Sequence, residues 1–338
     1  MTASWDILGS EARLPAADEE RPGSYRWQYF DAISDDGRSA LVVIFFVGSV
    51  FSPYYAERLA AGEQPSPREH VAVNLALYRR HQRPLWVFSE YGRHRLVETS
   101  RGQSIGDSHF ERSEDGSIAL HVDDRRVAFG TRVRANIVFR PLAPPLAARD
   151  VHLGGEEHGW RCPMPRARVD ARIGDELFSG LGYHDTNFGA QPPAQMLRSW
   201  SWGRVHGADS TRVFFDSLTR DGRRSHLVFD TALGRSAAVL PPAPVRPSLS
   251  SWLLPMPRRF DCGADASGAR LHLRAARTLE TSPFYTRFLA SFPSRGGEPG
   301  DVGMAEHLDF ACLDQPLVRA MIRLRMARPE RGEFGVIP

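Results

Sequence analysis

Two short patterns hold the residues best suited to acid chemistry. One is Tyr183-His184-Asp185-Thr186-Asn187-Phe188, framed by Gly180, Gly182 and Gly189 in the stretch GLGYHDTNFG. The other is His158-Gly159-Trp160, a short distance upstream and followed by a proline-rich turn at Pro163 and Pro165. A carboxyl group in an aromatic, glycine-lined pocket loses hydration, which favours its protonated form. A carboxylic acid kept protonated near neutral pH can serve as a general acid, and Asp185 is the candidate. His158 could hydrogen-bond a carboxylate or orient a water. Trp160 could face a cation. A plainer structural reading stands beside this one: Asp185 and Asn187 capping a turn, His158 at the surface, Trp160 in a core.

A second group of residues would suit a pocket for a long apolar ligand. It comprises Trp27, Tyr29, Tyr54 and Tyr55 in the first part of the chain, then Asn187, Trp200 and Trp202. Aromatic residues on strands are core by default, so this group too has a structural alternative. Asp31, Asp35 and Asp36 read as turn and strand-end residues. His70 and Asn74 read as structural residues on one strand face.

Several chemistries are excluded. The chain has no lysine among its 338 residues, so Schiff-base lysine and a Walker-type phosphate loop are both out. There is no HxH, HExxH or CxxC pattern, and Cys162, Cys262 and Cys312 have no zinc spacing. GxGxxG is absent as well. No metal and no cofactor are expected. The formal net charge of +3 gives no argument for nucleic acid. Three scattered cysteines, an acidic start and no run long enough to span a bilayer point to the cytoplasm, with peripheral membrane contact left open.

The elements that must position these residues read as strands. Tyr25 to Ile33 is aromatic-rich, Ser34-Asp35-Asp36-Gly37 is a hairpin signal, and Ser39 to Val50 is apolar and β-branched. Short strands at 70–78, 85–91, 108–112, 118–123, 125–129 and 132–140 follow, the spacing of sandwiches and barrels. Arg166 to Ile173 is a further strand, while the glycine stretch suits tight turns and close approach of backbone. The pattern then restarts at Arg198 to Val205, as in a weak internal duplication. Pro241 to Pro257 is a candidate lid. Pro316 to Met326 is an amphipathic helix with Leu317, Val318, Met321, Ile322 and Leu324 mostly on one face. The expected architecture is all-β: two lipocalin-like antiparallel barrels or sandwiches in tandem with a C-terminal helix. Its parts are an arm over 1–23, a first domain over 24–195 and a second over 196–338.

Several longer segments resemble one family. They are WQYFDAISDDGRSALVVIFFVGSVFSPYY (Trp27 to Tyr55), HGWRCPMPRARV (His158 to Val169), GLGYHDTNFG, SPFYTR (Ser282 to Arg287) and HLDFACLDQPLVRAMIRLRMAR (His307 to Arg328). Together, and in this order, they look like carotenoid 1,2-hydratase, also called hydroxyneurosporene synthase. The resemblance implies two lipocalin-like barrels and cofactor-independent addition of water to the terminal double bond of an acyclic carotenoid. It implies a His-x-Trp pair at His158 and Trp160 and a Tyr-x-Asp pair at Tyr183 and Asp185. Asp185 would be the proton donor, Trp160 and Tyr183 would stabilise the cation, and His158 would tune Asp185 or hold the water. Two departures bear on the pocket: Tyr25-Arg26-Trp27 stands where the family commonly has adjacent tryptophans, and Phe188 where it often has tryptophan. A cyclase or pericyclase acting on another polyene, and a non-catalytic lipophile carrier, are the alternatives.

Overall fold

A hairpin sets the pattern of the first half of the chain. Gly37, at φ +66°, turns back so that its N–H meets the Ser34 carbonyl. Asp36 Oδ1 holds the turn by accepting from Ser34 Oγ and from the Arg38 N–H. This turn joins strand β1 (Tyr25–Ser34) to β2 (Ser39–Val47), as the sequence predicts. The structure is a computed structural model. It describes residues 20–128, 130–146, 151–152, 158–232, 235–237, 248–252, 255–264, 270–292 and 301–336. The predicted arm over 1–23 therefore lies almost wholly outside the described residues.

The chain divides into two compact units. The first comprises Met1–Val151, Glu157–Pro192 and Arg319–Pro338; the second comprises His152–Glu156 and Pro193–Val318. In the first, β1 and β2 are followed by helix α1 (Pro53–Ala60), β3 (Val71–Arg79), β4 (Leu85–Tyr91), β5 (Leu96–Glu98), β6 (Gly102–Ile105) and β7 (Ser108–Arg112). Then come β8 (Ile118–Arg125), β9 (Arg132–Pro141), β10 (Val151–His152), β11 (His158–Ile173) and β12 (Glu176–Gly189). The sheet runs β4-β3-β2-β1-β12-β11-β9-β8-β7-β6-β5, so the first strand pairs with the last.

The second unit repeats that plan. It holds α2 (Pro193–Met196), β13 (Leu197–His206), β14 (Thr211–Thr219), β15 (Arg224–Asp230), β16 (Arg235–Ala237), β17 (Ser248–Leu249), β18 (Pro255–Met256), β19 (Arg259–Ala264), β20 (Arg270–Thr281), β21 (Tyr285–Ser291), β22 (Val302–Asp309) and α3 (Phe310–Leu313). Its order is β16-β15-β14-β13-β22-β21-β20-β19, again with the opening strand against the closing one. Each unit is one curled antiparallel sheet, the lipocalin-like class expected from the sequence.

Alternation along the strands locates the core. In β8 and β9 every second residue is buried, and Ile118, Leu120, Val122, Ala135, Ile137 and Phe139 enter one cluster while their neighbours face water. In β1 to β4 both faces are buried, so alternation is lost and the strands read as apolar runs. One face carries Phe30, Val43, Phe45, Val73 and Leu75 into the same cluster. The opposite face carries the candidate site. A separate cluster around Phe214, Phe260, Phe288 and Val205 fills the second unit.

Three local expectations are corrected. GLGYHDTNFG is not a turn but the second half of β12. Its glycines permit close approach: a Cβ on Gly182 would lie 2.6 Å from the Asp31 carbonyl and 2.5 Å from Val169 Cγ2. The proline-bearing segment after His158 is not a turn either; β11 runs through Pro163 and Pro165. Register shifts fall between Arg161 and Met164 and between Met164 and Ala167, the bulges that strand prolines require. Arg125 to Phe129 is not a separate strand, because β8 ends at Arg125 and a turn follows, with Ala128 at φ +79°.

The C-terminal segment also differs from its predicted place. Helix α4 (Pro316–Arg323) is shorter than expected; Val318 and Ile322 are buried, Leu317 is exposed, and Leu324 lies exposed beyond its end. The boundary between the units falls within it, and the residues that follow belong with the first unit, not the second. Ala327 donates its N–H to the Phe88 carbonyl and accepts from Glu90, and the Trp86 indole donates to the Arg325 carbonyl. Edge strand β4 has unpaired backbone groups that this tail satisfies. Of the predicted lid, the described residues show the short pair β17 and β18, a turn at Ser251 and Trp252, and Pro257; 241–247 and 253–254 lie outside the described residues.

One buried carboxyl in this unit makes a stability prediction. Asp124 accepts from Ser89 Oγ and the Arg125 N–H, and burial pushes its carboxyl up to about 6. Between about pH 4 and pH 6 the folded chain then holds a proton that the unfolded chain has lost. Stability therefore falls as pH rises through that window, by about 3 kcal/mol at most. D124N should remove this slope and be relatively more stable than wild type at pH 7.5 than at pH 4.5. Denaturant titrations of both proteins at the two pH values would check it; equal slopes would refute it.

Candidate active site

The site is built where β1, β12 and β11 lie side by side. Successive side chains on a strand point to opposite faces, so residues two apart share a face. That places Tyr183, Asp185 and Asn187 of β12 together, and His158 with Trp160 of β11. Register completes the set: Tyr29 lies opposite Asp185, Trp27 and Trp160 opposite Asn187, and Asp31 opposite Tyr183. The x in each pair of the two motifs is thus the residue that turns to the other face. His184 shows this, stacking on Phe30 with ring centroids 4.1 Å apart and placing Nδ1 against the Tyr29 carbonyl. Burial holds its imidazole down to about 3, so it is a neutral core residue.

Asp185 is 2% exposed, and three neutral donors address its carboxylate. Trp160 Nε1 donates to Oδ2 at 2.8 Å and the Tyr183 hydroxyl donates to the same oxygen at 2.7 Å. Asn187 Nδ2 donates to Oδ1 at 3.0 Å. No turn is being capped, which removes the plainer reading of Asp185. Burial, reinforced by the Asp185 charge, pushes the Tyr183 phenol well above its ordinary range, so it remains a donor. The buried Cys162 thiol is pushed up for the same two reasons and also lies in the field of Asp31.

His158 is fully buried rather than at the surface. It is hydrogen-bonded through Nδ1 to the Tyr25 hydroxyl. Tyr25 and Trp27 stack at 5.2 Å, and the His158 ring lies 5.8 Å from Tyr25 and 6.0 Å from Trp27. Its register partner is Gly189, four residues and about 13 Å of strand from Asp185. That separation favours a role for His158 along the aromatic row over direct tuning of the acid.

The remaining predicted residues fall in different places. Tyr29 meets Tyr183 edge-on, with ring centroids 6.5 Å apart. Tyr55 is buried in α1, where its hydroxyl accepts from the Gly23 N–H, donates to the Ser24 carbonyl, and its ring stacks on His70. Tyr54 is half-buried, lies under Arg323 and Arg328, and donates to Glu333. Trp200 and Trp202 belong to β13 of the second unit, where Trp200 packs edge-on against Phe215 and Phe310. Two residues of the face were not read as site residues. Asp31 is in mid-strand and fully buried, not at a strand end, and Tyr25 holds His158. The signal for both was the period-two series Tyr25, Trp27, Tyr29, Asp31.

Residues 43–335 match the model of the carotenoid hydratase CrtC family. The chain is 34% identical to the acyclic carotenoid 1,2-hydratase of Thiocapsa roseopersicina over 91% of its own length and 74% of the relative's. It is 33% identical to the same enzyme of Rubrivivax gelatinosus, with the same two coverages. Among solved structures, a putative AttH from Nitrosomonas europaea superposes with a TM-score of 0.62 at 14% identity, covering 90% of this chain and 99% of that one. That likeness concerns the fold. The family match and these relatives make the chain a hydro-lyase. The chain belongs to the CrtC carotenoid hydratase family.

Proposed function

We propose that the protein hydrates the terminal C=C bond of an acyclic carotenoid of the neurosporene or lycopene type, without a cofactor, to give the 1-hydroxy product. The observation that carries this reading is the Asp185 carboxyl with its three neutral donors. Asp185 gives its proton to the less substituted alkene carbon, forming a C–H bond and leaving a tertiary cation. Negative charge develops on the carboxylate as this happens. Trp160, Tyr183 and Asn187 are already aimed at that charge, which is how fixed donors lower a barrier. The faces of Trp160 and Tyr183 are electron-rich and suit the cation; such contacts contribute about 2 kcal/mol or more when desolvated. Water then adds to the cation, and its surplus proton returns to Asp185. We assign the Tyr25–His158 pair to the aromatic row along which the polyene lies, and Asn187 to fixing the acid rather than to touching substrate.

The substrate class resides in membranes. Among the described residues no helix is long and apolar enough to cross one. Leu324, Phe334 and Val336 are exposed near one another in sequence and space, with the Val336 N–H bonded to the Leu324 carbonyl. These side chains are our candidates for peripheral contact.

The test is incubation of dialysed protein with lycopene or neurosporene in lipid vesicles, followed by mass spectrometry. A product heavier by one water is expected. An isomer of unchanged mass would indicate cyclisation, and bound but unaltered pigment would indicate a carrier; either would overturn the proposal.

A further inference from the structure

A second polar site lies on the same sheet, four strand steps and about 19 Å from the Asp185 strand. It is a cleft of about 820 Å³ whose lining includes Tyr54, His70, Glu90, Arg93, Arg328 and Arg331. That volume is within the range of small-molecule sites. Its floor is Glu90, 2% exposed, and neither carboxylate oxygen receives a hydrogen bond from the protein. A buried carboxylate without donors is costly to maintain.

The charged groups around Glu90 do not remove that cost. Arg328 Nε and His70 Nδ1 each stand 3.5 Å from Oε1, within ion-pair reach but making no hydrogen bond. Arg328 is shared with Glu333 at 3.8 Å and with the Tyr54 ring at 4.0 Å. His70 Nε2 faces Arg58 Nη1 at 3.4 Å. Arginine can only donate, so Nε2 accepts and the His70 proton sits on Nδ1. The acids of the rim are engaged: Glu63 and Glu69 with Arg58, Glu57 with Arg323, Glu330 with His94. Glu90 is thus the acceptor in the cleft whose capacity is unused.

The chemistry of the walls narrows the ligand. A quaternary ammonium needs open aromatic faces, but both Arg323 and Arg328 lie against the Tyr54 ring. It also cannot hydrogen-bond a carboxylate. A metal ion would need more donors, and among the described residues no group of three or more His, Cys, Asp or Glu could hold one. A primary ammonium is compact and brings three N–H donors. Arg93 and Arg331 at the rim would accommodate an anionic group beside it. We propose that this cleft binds a primary ammonium group through Glu90, carried by a small polar molecule or by a lipid headgroup.

The experiment titrates the full-length protein at pH 7.5 with ethanolamine and with phosphoethanolamine, by calorimetry or ligand-observed NMR. Saturable binding is expected, weakened at least tenfold in Glu90→Gln, a variant of the same shape whose circular dichroism and melting are recorded alongside. On the wild type, N-acetylethanolamine, which lacks the ammonium, should not bind. A second arm compares flotation with phosphatidylethanolamine and phosphatidylcholine vesicles. A preference for the former that Glu90→Gln abolishes assigns the ammonium to lipid; binding of the soluble amines alone assigns it to a free molecule. No saturable binding in either arm, equal binding by Glu90→Gln, or equal binding of N-acetylethanolamine would overturn the proposal.

Discussion

D185N should abolish hydration, with kcat reduced at least about 10³-fold, while the fold and the capacity to bind pigment persist. The amide has the size of the carboxyl and no proton to give an alkene. Its oxygen can take the place of Oδ2 and accept from Trp160 and Tyr183. Its N–H₂ would then face Asn187 Nδ2, and a flip of the Asn187 amide presents oxygen instead. The substitution therefore has a low structural cost, and the loss can be assigned to chemistry. Single-turnover hydration, circular dichroism and pigment absorbance would be measured together. A normal hydration rate in D185N would sink the mechanism.

The second large effect concerns the donors. Tyr183→Phe keeps the ring and removes one hydrogen bond to Oδ2. Trp160→Phe removes the other and also exchanges an indole face for a weaker one. Removing one donor to a developing oxyanion costs about 10²- to 10³-fold in kcat. Tyr183→Phe should approach that range with little change in KM, because the bond gains strength only as charge develops. Trp160→Phe should lose more, since cation stabilisation is reduced as well. If Tyr183→Phe stayed within twofold of wild type, the carboxylate would not be the group on which charge appears.

Much of this site was visible in residue spacing. His-x-Trp and Tyr-x-Asp-x-Asn are period-two patterns, and on paired strands each presents one face. The same rule extends to Tyr25, Trp27, Tyr29 and Asp31, yet only two of these four were read as site residues. Local signals obscured the rest. Glycine at 180 and 182 speaks locally for a turn, whereas its role is to admit the Ile33, Asp31 and Val169 neighbours of adjoining strands. Pro163 and Pro165 speak for a break, and β11 absorbs them in bulges. Both outcomes depend on partners distant in sequence. The hairpin at Ser34 to Gly37 depends on its own residues, and its position was legible. The charged cleft was not, because Tyr54, Glu90 and Arg328 come from three separate segments.

The pairing of the tail with β4 has a bearing on how the chain is made. During synthesis, β1 emerges long before the β12 partner it needs, from Tyr25 opposite Gly189 to Ser34 opposite Gly180. Pairings so remote in sequence form slowly and leave strand edges open meanwhile. The second unit, Pro193–Val318 in the main, is then translated and can close β13 on β22. Only afterwards does Ala327 leave the ribosome to cover the edge of β4 at Ser89. The first unit is thus completed only after the second has been translated. A nascent chain halted just after the second unit would expose the β4 edge to its neighbours on the polysome. Removing the segment that carries Ala327 would thus injure the unit that holds Asp185.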